Sequence, residues 1–178
     1  MKKKILVACL CVALAVLTIA GTTLAYLTAT TGPVTNTFTV GNIDITLAET
    51  KTDFKMVPGS TIDKDPKVTV KAGSEACWLF VKVEKSTNLD RFIAYTIDSG
   101  WTALSGVNGV YYREVSAAAT DTNFSVLAGD QVTVNTTVTK AMMDALTQST
   151  YPTLTFTAYA VQKAGFDTET AAWAEVSK

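Results

Sequence analysis

Apolar residues that alternate with polar ones, rather than recurring every three or four positions, most restrict the fold of this chain. Through residues 43–47 and 132–138, isoleucine, leucine and valine alternate with threonine, asparagine and aspartate. A period of two places every second side chain on one face of a β-strand, so both segments are predicted strands. Other segments with strand character are residues 67–71, 77–85, 92–97, 110–115, 124–127 and 153–161.

Clusters of glycine, serine, proline and aspartate separate these strands, at residues 58–60, 72–74, 98–100, 106–109 and 128–130. Eight or nine short strands divided by turns are typical of an antiparallel β-sandwich. Thr139 is suited to cap a helix over residues 140–146, and Thr168 one over residues 169–175. The sequence therefore predicts an all-β sandwich with one or two short helices.

Composition limits both size and chemistry. The 178 residues are 48% hydrophobic and 17% charged, which suits one domain with its own core. A net charge of -1 offers no field that attracts nucleic acid. The chain has no histidine, which excludes Ser-His-Asp and Cys-His pairs and the HExxH zinc site. We therefore expect a protein that is not an enzyme, needs no cofactor and binds no nucleic acid.

The N-terminus has the three parts of a secretory signal peptide. Three lysines at positions 2–4 precede an apolar run over residues 5–20, and small residues follow. Thr23 and Ala25 suit the −3 and −1 positions of a signal-peptidase site, which makes Tyr26 the mature N-terminus. Loss of residues 1–25 removes three lysines and no acid, so the mature chain keeps 12 basic and 16 acidic residues and a charge of -4. We predict that residues 1–25 are removed and that the rest is secreted.

Three other fates of the leader stay open. Residues 5–27 could span a bilayer of ~20 residues' thickness as an uncleaved anchor. A cut after Ala20 is a second alternative. Residues 6–9 resemble a lipobox that would lipidate Cys9, but only four apolar residues precede that cysteine.

Residues 26–40 carry no charge, and we call them the donor segment. Val34, Asn36, Phe38 and Val40 share one face of the predicted strand, and three threonines form the other. Charges normally protect a strand from pairing with other chains, whereas here only Pro33 limits pairing. Next to a free N-terminus, this segment is suited to add itself to another sheet.

Two features that resemble catalytic motifs have a simpler structural interpretation. Asp98-Ser99-Gly100 resembles the loop of aspartic proteases, but it has no second copy and bulky Trp101 follows, which favours a turn. Cys77 begins an apolar strand. Removal of the leader takes away Cys9 and Cys11, the only other cysteines, so we expect Cys77 to be a buried free thiol.

Two kinds of ligand site remain as alternatives. Four scattered carboxylates match no calcium-binding loop: Asp63, Asp65, Asp130 and Asp144. Five aromatic residues could stack on sugars, although packing in the core is their default role: Trp78, Trp101, Tyr111, Tyr112 and Trp173.

Several segments together resemble one known family. They are the lysine-rich leader ending in Thr-Leu-Ala-Tyr at residues 23–26, Asn-Thr-Phe-Thr-Val-Gly-Asn-Ile-Asp-Ile-Thr-Leu at 36–47 and Val-Pro-Gly-Ser at 57–60. Residues 81–84, 126–130 and 154–161 extend the likeness over nearly the whole chain. In this order the chain is similar to the TasA/camelysin family, secreted proteins of Gram-positive bacteria whose leaders are cut by a SipW-type signal peptidase.

The resemblance implies a jelly-roll β-sandwich over residues 41–178 that forms extracellular fibres of a biofilm matrix. In TasA-like fibres the mature N-terminal segment pairs within the next subunit, a role that falls here on residues 26–40. The implied partners are further copies of the chain, in a head-to-tail filament, and the SipW-type peptidase; an accessory matrix protein is left open. The implied location is the extracellular matrix or the cell surface.

Two other functions are kept as alternatives. Camelysin members are described as metalloendopeptidases, but a zinc site without histidine would have to use carboxylates, which suit harder ions. The second alternative is a carbohydrate-binding surface module that uses the exposed aromatic residues.

Overall fold

The structure, a computed structural model, describes residues 41–178. This part of the chain contains ten strands: β1 (Ile45–Ala48), β2 (Thr61–Asp63), β3 (Lys67–Val70), β4 (Cys77–Lys85), β5 (Ile93–Ala94), β6 (Thr102–Ala103), β7 (Val110–Val115), β8 (Thr122–Ser125), β9 (Gln131–Val134) and β10 (Leu154–Gln162). It also contains three short α-helices: α1 (Leu89–Phe92), α2 (Lys140–Asp144) and α3 (Glu169–Val176). The predicted cleavage residues and donor segment lie outside the described residues.

All strand pairs are antiparallel and form two layers. One layer is a four-stranded sheet in the order β10-β4-β7-β6. Two three-stranded sheets, β1-β3-β8 and β2-β9-β5, pack against one face of it. The predicted all-β antiparallel sandwich is confirmed; its jelly-roll connectivity stays a prediction.

Strand β4 is buried on both of its faces. Leu79 and Val81 face the three-stranded sheets, whereas Trp78 and Phe80 face the opposite side. A strand covered on both faces needs apolar residues at consecutive positions, which explains the uninterrupted run at the start of β4. The predicted burial of Cys77 is confirmed, and this burial raises the pKa of its thiol.

Helix α3 covers the outer face of the four-stranded sheet. Ala172 is fully buried there, and the Trp173 ring centre lies 5.3 Å from those of Phe80 and Tyr159. Thr168 Oγ1 accepts a hydrogen bond from Ala171 N at 3.2 Å, which confirms the predicted cap.

No helix within residues 41–178 has the length and apolar character needed to cross a bilayer.

Two predicted strands are shorter in the structure. Of residues 92–97, Phe92 ends helix α1, Ile93–Ala94 form strand β5 and Ile97 forms an isolated bridge to Leu127. Of residues 132–138, only those up to Val134 belong to a strand, β9, and a turn follows. Leu89 and Phe92 lie three residues apart and are both buried, a spacing that one helical turn satisfies. Strands β2 and β6 were missed because three and two residues carry too little alternation.

Candidate functional site

Strands β1 and β10 are neighbours in the sandwich but do not form a strand pair. We call the boundary between them the seam. Strand β1 pairs with β3 alone, and β10 pairs with β4 alone. Within residues 41–178, no backbone hydrogen bond joins β1 to β10. At the seam, two strand edges therefore lie next to each other without forming backbone hydrogen bonds between them.

The hydrogen bonds at both ends of β10 show which of its amides face the seam. Ser86 N donates to Thr153 O at 2.9 Å, and Lys163 N donates to Ala76 O at 2.8 Å. Bonding alternates along an antiparallel pair, so the odd-numbered residues of β10 bond to β4. The N–H and C=O groups of its even-numbered residues consequently point away from β4, towards the seam.

An apolar cavity of about 670 Å³ opens at the Leu154 end of β10. Its lining comes from distant parts of the chain. Asp53, Lys55 and Lys64 border it, and its large apolar side chains are Met56, Ile62, Met143, Leu146, Tyr151 and Leu154. Tyr151 is 56% exposed at its rim, which is unusual for a large aromatic residue. The apolar cavity has the size and lining of a site that accepts large apolar side chains.

A largely buried ion pair lies between the apolar cavity and the seam. Lys64 Nζ lies 2.9 Å from Glu49 Oε1, with side-chain exposures of 10% and 14%. The same ammonium lies 5.1 Å from the ring centre of Phe54 and 5.4 Å from that of Phe156. Glu49 directly follows β1 and Phe156 belongs to β10, so this one lysine contacts both sides of the seam.

A second polar contact holds the chain just after β1. Asp65 accepts hydrogen bonds from Thr50 N at 2.9 Å and from Thr50 Oγ1 at 2.5 Å. These bonds, from the hydroxyl first and then the amide, lower the pKa of Asp65. The segment that borders the apolar cavity is thus tied to the carboxylate two residues before β3.

The described residues begin at the opposite end of β10. Gly41 lies against the Glu75 carboxylate, and Glu75 N donates to Asn42 O at 3.0 Å. Gln162, the last residue of β10, donates from Nε2 to Glu75 Oε2 at 3.0 Å. The chain therefore enters the sandwich at the Gln162 end, roughly 30 Å along β10 from the apolar cavity.

The structure places the other candidate residues as follows. Gly100 N donates to Asp98 Oδ1 at 2.9 Å and Trp101 N to Asp98 O at 3.1 Å, which confirms the turn. Asp65 and Asp130 both approach Lys67 Nζ, at 4.0 and 3.1 Å. Asp144 pairs instead with Lys140. Among residues 41–178, no three or more His, Cys, Asp or Glu side chains are grouped so as to hold a metal ion.

The five aromatic candidates form no common exposed face. Trp78, Tyr112 and Trp173 pack on the α3 side of the four-stranded sheet. Trp101 and Tyr111 belong to the opposite cluster, and Trp101 is only 6% exposed. The default role in the core is therefore confirmed for most of these rings.

Sequence reasoning missed the seam and the apolar cavity. It predicted β1 and β10 as strands, yet alternation does not tell which strands lie at a sheet edge. Lys64 gave no local signal either, because its sequence neighbours are Asp63 and Asp65 whereas its partner Glu49 lies 15 residues earlier. The cavity-lining residues come from segments far apart in the chain, which only the fold brings together.

Taken together, the described residues define an antiparallel β-sandwich with an unpaired seam that runs from the end where the chain enters to an apolar cavity. Comparison with protein-family models, with curated proteins and with solved structures gives no match for this chain.

Proposed function

We propose that this chain is a secreted structural protein that forms extracellular matrix fibres by inserting its donor segment into the next subunit. The observation that carries the proposal is the seam, where β10 keeps one unpaired edge along nine residues next to an apolar cavity. The resemblance to the TasA/camelysin family supports the same mechanism.

Backbone hydrogen bonds contribute binding energy that does not depend on the side chains. A donor strand that enters the seam forms backbone hydrogen bonds with the even-numbered residues of β10, which is strand addition to a sheet edge. To admit it, β1 and β10 separate by about one strand spacing, ~4.8 Å. No covalent bond and no large refolding is required, because β1 and β10 share no hydrogen bonds within the described residues.

Side chains of the donor segment supply the specificity. Phe38 and Val40 are the large apolar residues on one face of this strand, and the apolar cavity offers a place for them. Burial of each such side chain stabilises the complex by about 1.5–3 kcal/mol. The absence of charge in residues 26–40 avoids any desolvation cost for ionised groups in the cavity.

The positions of the two ends make the assembly a filament. The donor segment is joined to the sandwich at Gly41, beside Gln162, whereas the apolar cavity lies at the Leu154 end of the same strand. Donor and acceptor are thus different surfaces, so each subunit uses one and offers the other. A head-to-tail contact of this kind forms an open filament unless its rotation closes a ring.

The test compares residues 26–178 with residues 41–178 by negative-stain microscopy. The longer chain is expected to form filaments, and the shorter chain to stay a folded monomer. A synthetic peptide of residues 26–40, added to the shorter chain, should bind with 1:1 stoichiometry in calorimetry and raise its melting temperature.

The matched control is the same peptide with Phe38→Asp and Val40→Asp, which should bind at least tenfold more weakly. Filaments of residues 41–178 alone, or equal binding of both peptides, would show that the donor segment is not the assembly element.

A further inference from the structure

A second concave surface lies on the β5/β6 side of the sandwich, away from the seam, and we call it the polar groove. It has a volume of about 690 Å³, within the range of roughly 300–1,000 Å³ of ligand pockets. It lies between β5 with the loop after it and the β6–β7 pair of the other sheet. The side chains that matter for its chemistry are Lys85, Asp90, Tyr95, Asp98, Tyr111 and Asn135.

Two tyrosines supply aromatic surface in the polar groove, next to the apolar side chains of Ile93 and Ile97. Tyr95 follows β5 and Tyr111 belongs to β7, and both rings are half-buried, so part of each stays accessible. Burial raises the pKa of the Tyr95 hydroxyl, which remains a neutral donor at physiological pH. Buried Trp101 contributes to the lining but uses its indole N–H to bond Ser125 O at 2.8 Å.

The charged groups of the polar groove are largely balanced by partners within the protein. Lys85 Nζ lies 2.6 Å from Asp90 Oδ2. Asp98 Oδ1 accepts a hydrogen bond from Gly100 N at 2.9 Å. A charged ligand would have to compete with the Lys85–Asp90 ion pair, whereas a ligand with hydroxyl groups can bond to the same side chains without breaking it.

We propose that the polar groove binds an uncharged saccharide. The rings of Tyr95 and Tyr111 pack against the C–H faces of sugar rings, and Asp98 Oδ2 accepts from a sugar hydroxyl. Asn135 Nδ2 already donates to Asp90 O at 2.9 Å, which leaves its carbonyl oxygen as a further acceptor. The polar groove and the apolar cavity share only Ile93, and no residue assigned to sugar binding lines the apolar cavity, so the site does not depend on fibre formation.

The test is native affinity electrophoresis of the full chain through gels that contain one soluble polysaccharide each. The neutral probes are hydroxyethyl cellulose, laminarin, glucomannan and soluble starch, and the anionic probe is polygalacturonate. At least one neutral probe should retard the protein. Tyr95→Ala should weaken that retardation about tenfold, whereas Tyr95→Phe, which keeps the ring, should stay within about threefold.

Val57→Ala is the control, because Val57 is 58% exposed and lines neither the polar groove nor the apolar cavity. If thermal denaturation shows that Tyr95→Ala is unfolded, Asp98→Asn replaces it, since the amide oxygen still accepts from Gly100 N while an NH2 group, which cannot accept, takes the place of Oδ2. The proposal is overturned if no neutral probe retards the protein, if polygalacturonate alone does, or if the folded groove variants behave like Val57→Ala.

Discussion

At the scale of single residues, Lys64 has the most consequential environment, because its ammonium is nearly buried and faces one carboxylate. Lys64→Ala leaves the Glu49 carboxylate buried without its partner. Breaking a buried pair in this way is expected to lower the free energy of unfolding by about 3–5 kcal/mol. Urea denaturation followed by tryptophan fluorescence measures the change.

Lys140→Ala is the control for that measurement. Lys140 pairs with Asp144 on an exposed helical turn, with side-chain exposures of 84% and 60%, so its loss should change stability by less than about 0.5 kcal/mol. The double variant Lys64→Met/Glu49→Leu should recover most of the loss, because no charge is left buried. Equal effects of Lys64→Ala and Lys140→Ala would contradict the buried pair.

Asp65 links stability to pH through its bonds with Thr50. Its folded pKa lies below the usual value, so the unfolded state binds a proton more readily than the folded state. The stabilising contribution is complete above the unfolded pKa of about 3.9 and is lost as the pH falls towards the folded value. Asp121 contributes with the same sign, because Ala72 N and Lys71 lower its pKa.

We therefore expect the urea midpoint to fall between pH 5 and pH 3, and to fall less steeply in Asp65→Asn/Asp121→Asn. Both substitutions keep an acceptor oxygen but cannot titrate. An identical slope for the natural and double-variant proteins would show that these two carboxylates do not set the acid limit of stability.

At the scale of elements, the turn that leads into β7 depends on a glycine. Gly109 has φ +74°, and a Cβ there would lie 2.7 Å from Val83 O, a backbone atom that cannot move aside easily. Gly106 has nearly the same φ, +76°, but open space where its Cβ would be. Gly106→Ala should cost about 1 kcal/mol from the left-handed conformation alone, and Gly109→Ala at least twice that.

Thermal denaturation of the two alanine variants separates conformational strain from the steric clash. If both variants melt at the same temperature, the close approach between the β7 turn and β4 is not what makes Gly109 necessary.

Long strands could be predicted from the sequence, whereas the short elements β2, β6 and α1 could not. Strands β4, β7 and β10 span six to nine residues and were found with bounds within one residue. Thr139 and Thr168 were recognised as caps because a threonine before a helical pattern has a specific hydrogen-bonding role. Helix α1 was missed because it is only one turn long and is held by packing rather than by local propensity.

The candidate site was harder to predict than the fold. Its proposed donor half is visible in the sequence as an uncharged strand-forming segment. Its proposed acceptor half depends on which strand edges stay unpaired and on cavity walls from residues 52–56, 62–64, 89–93, 132 and 143–155. Those relations are long-range and leave no local pattern, so only the fold reveals them.

At the scale of the whole molecule, one strand sets the direction of the proposed fibre. Strand β10 joins the end where the chain enters the sandwich to the end where the apolar cavity opens. A subunit with donor and acceptor at opposite ends of one strand adds the next subunit along a single direction. The polar groove opens between β5 and the β6–β7 pair rather than at the seam and shares only Ile93 with the apolar cavity, so it would stay accessible in a fibre built through the seam.

The most direct test of strand insertion is a photo-crosslink from Phe38, replaced by p-benzoylphenylalanine, in a mixture with subunits labelled with ¹⁵N. After irradiation of assembled protein, mass spectrometry identifies which peptides are joined and whether they come from one subunit or two. Strand insertion predicts crosslinks from unlabelled residue 38 to labelled peptides that contain residues 52–56 or 143–155. Crosslinks confined to peptides of the same subunit, or to surfaces away from the seam and the apolar cavity, would contradict it.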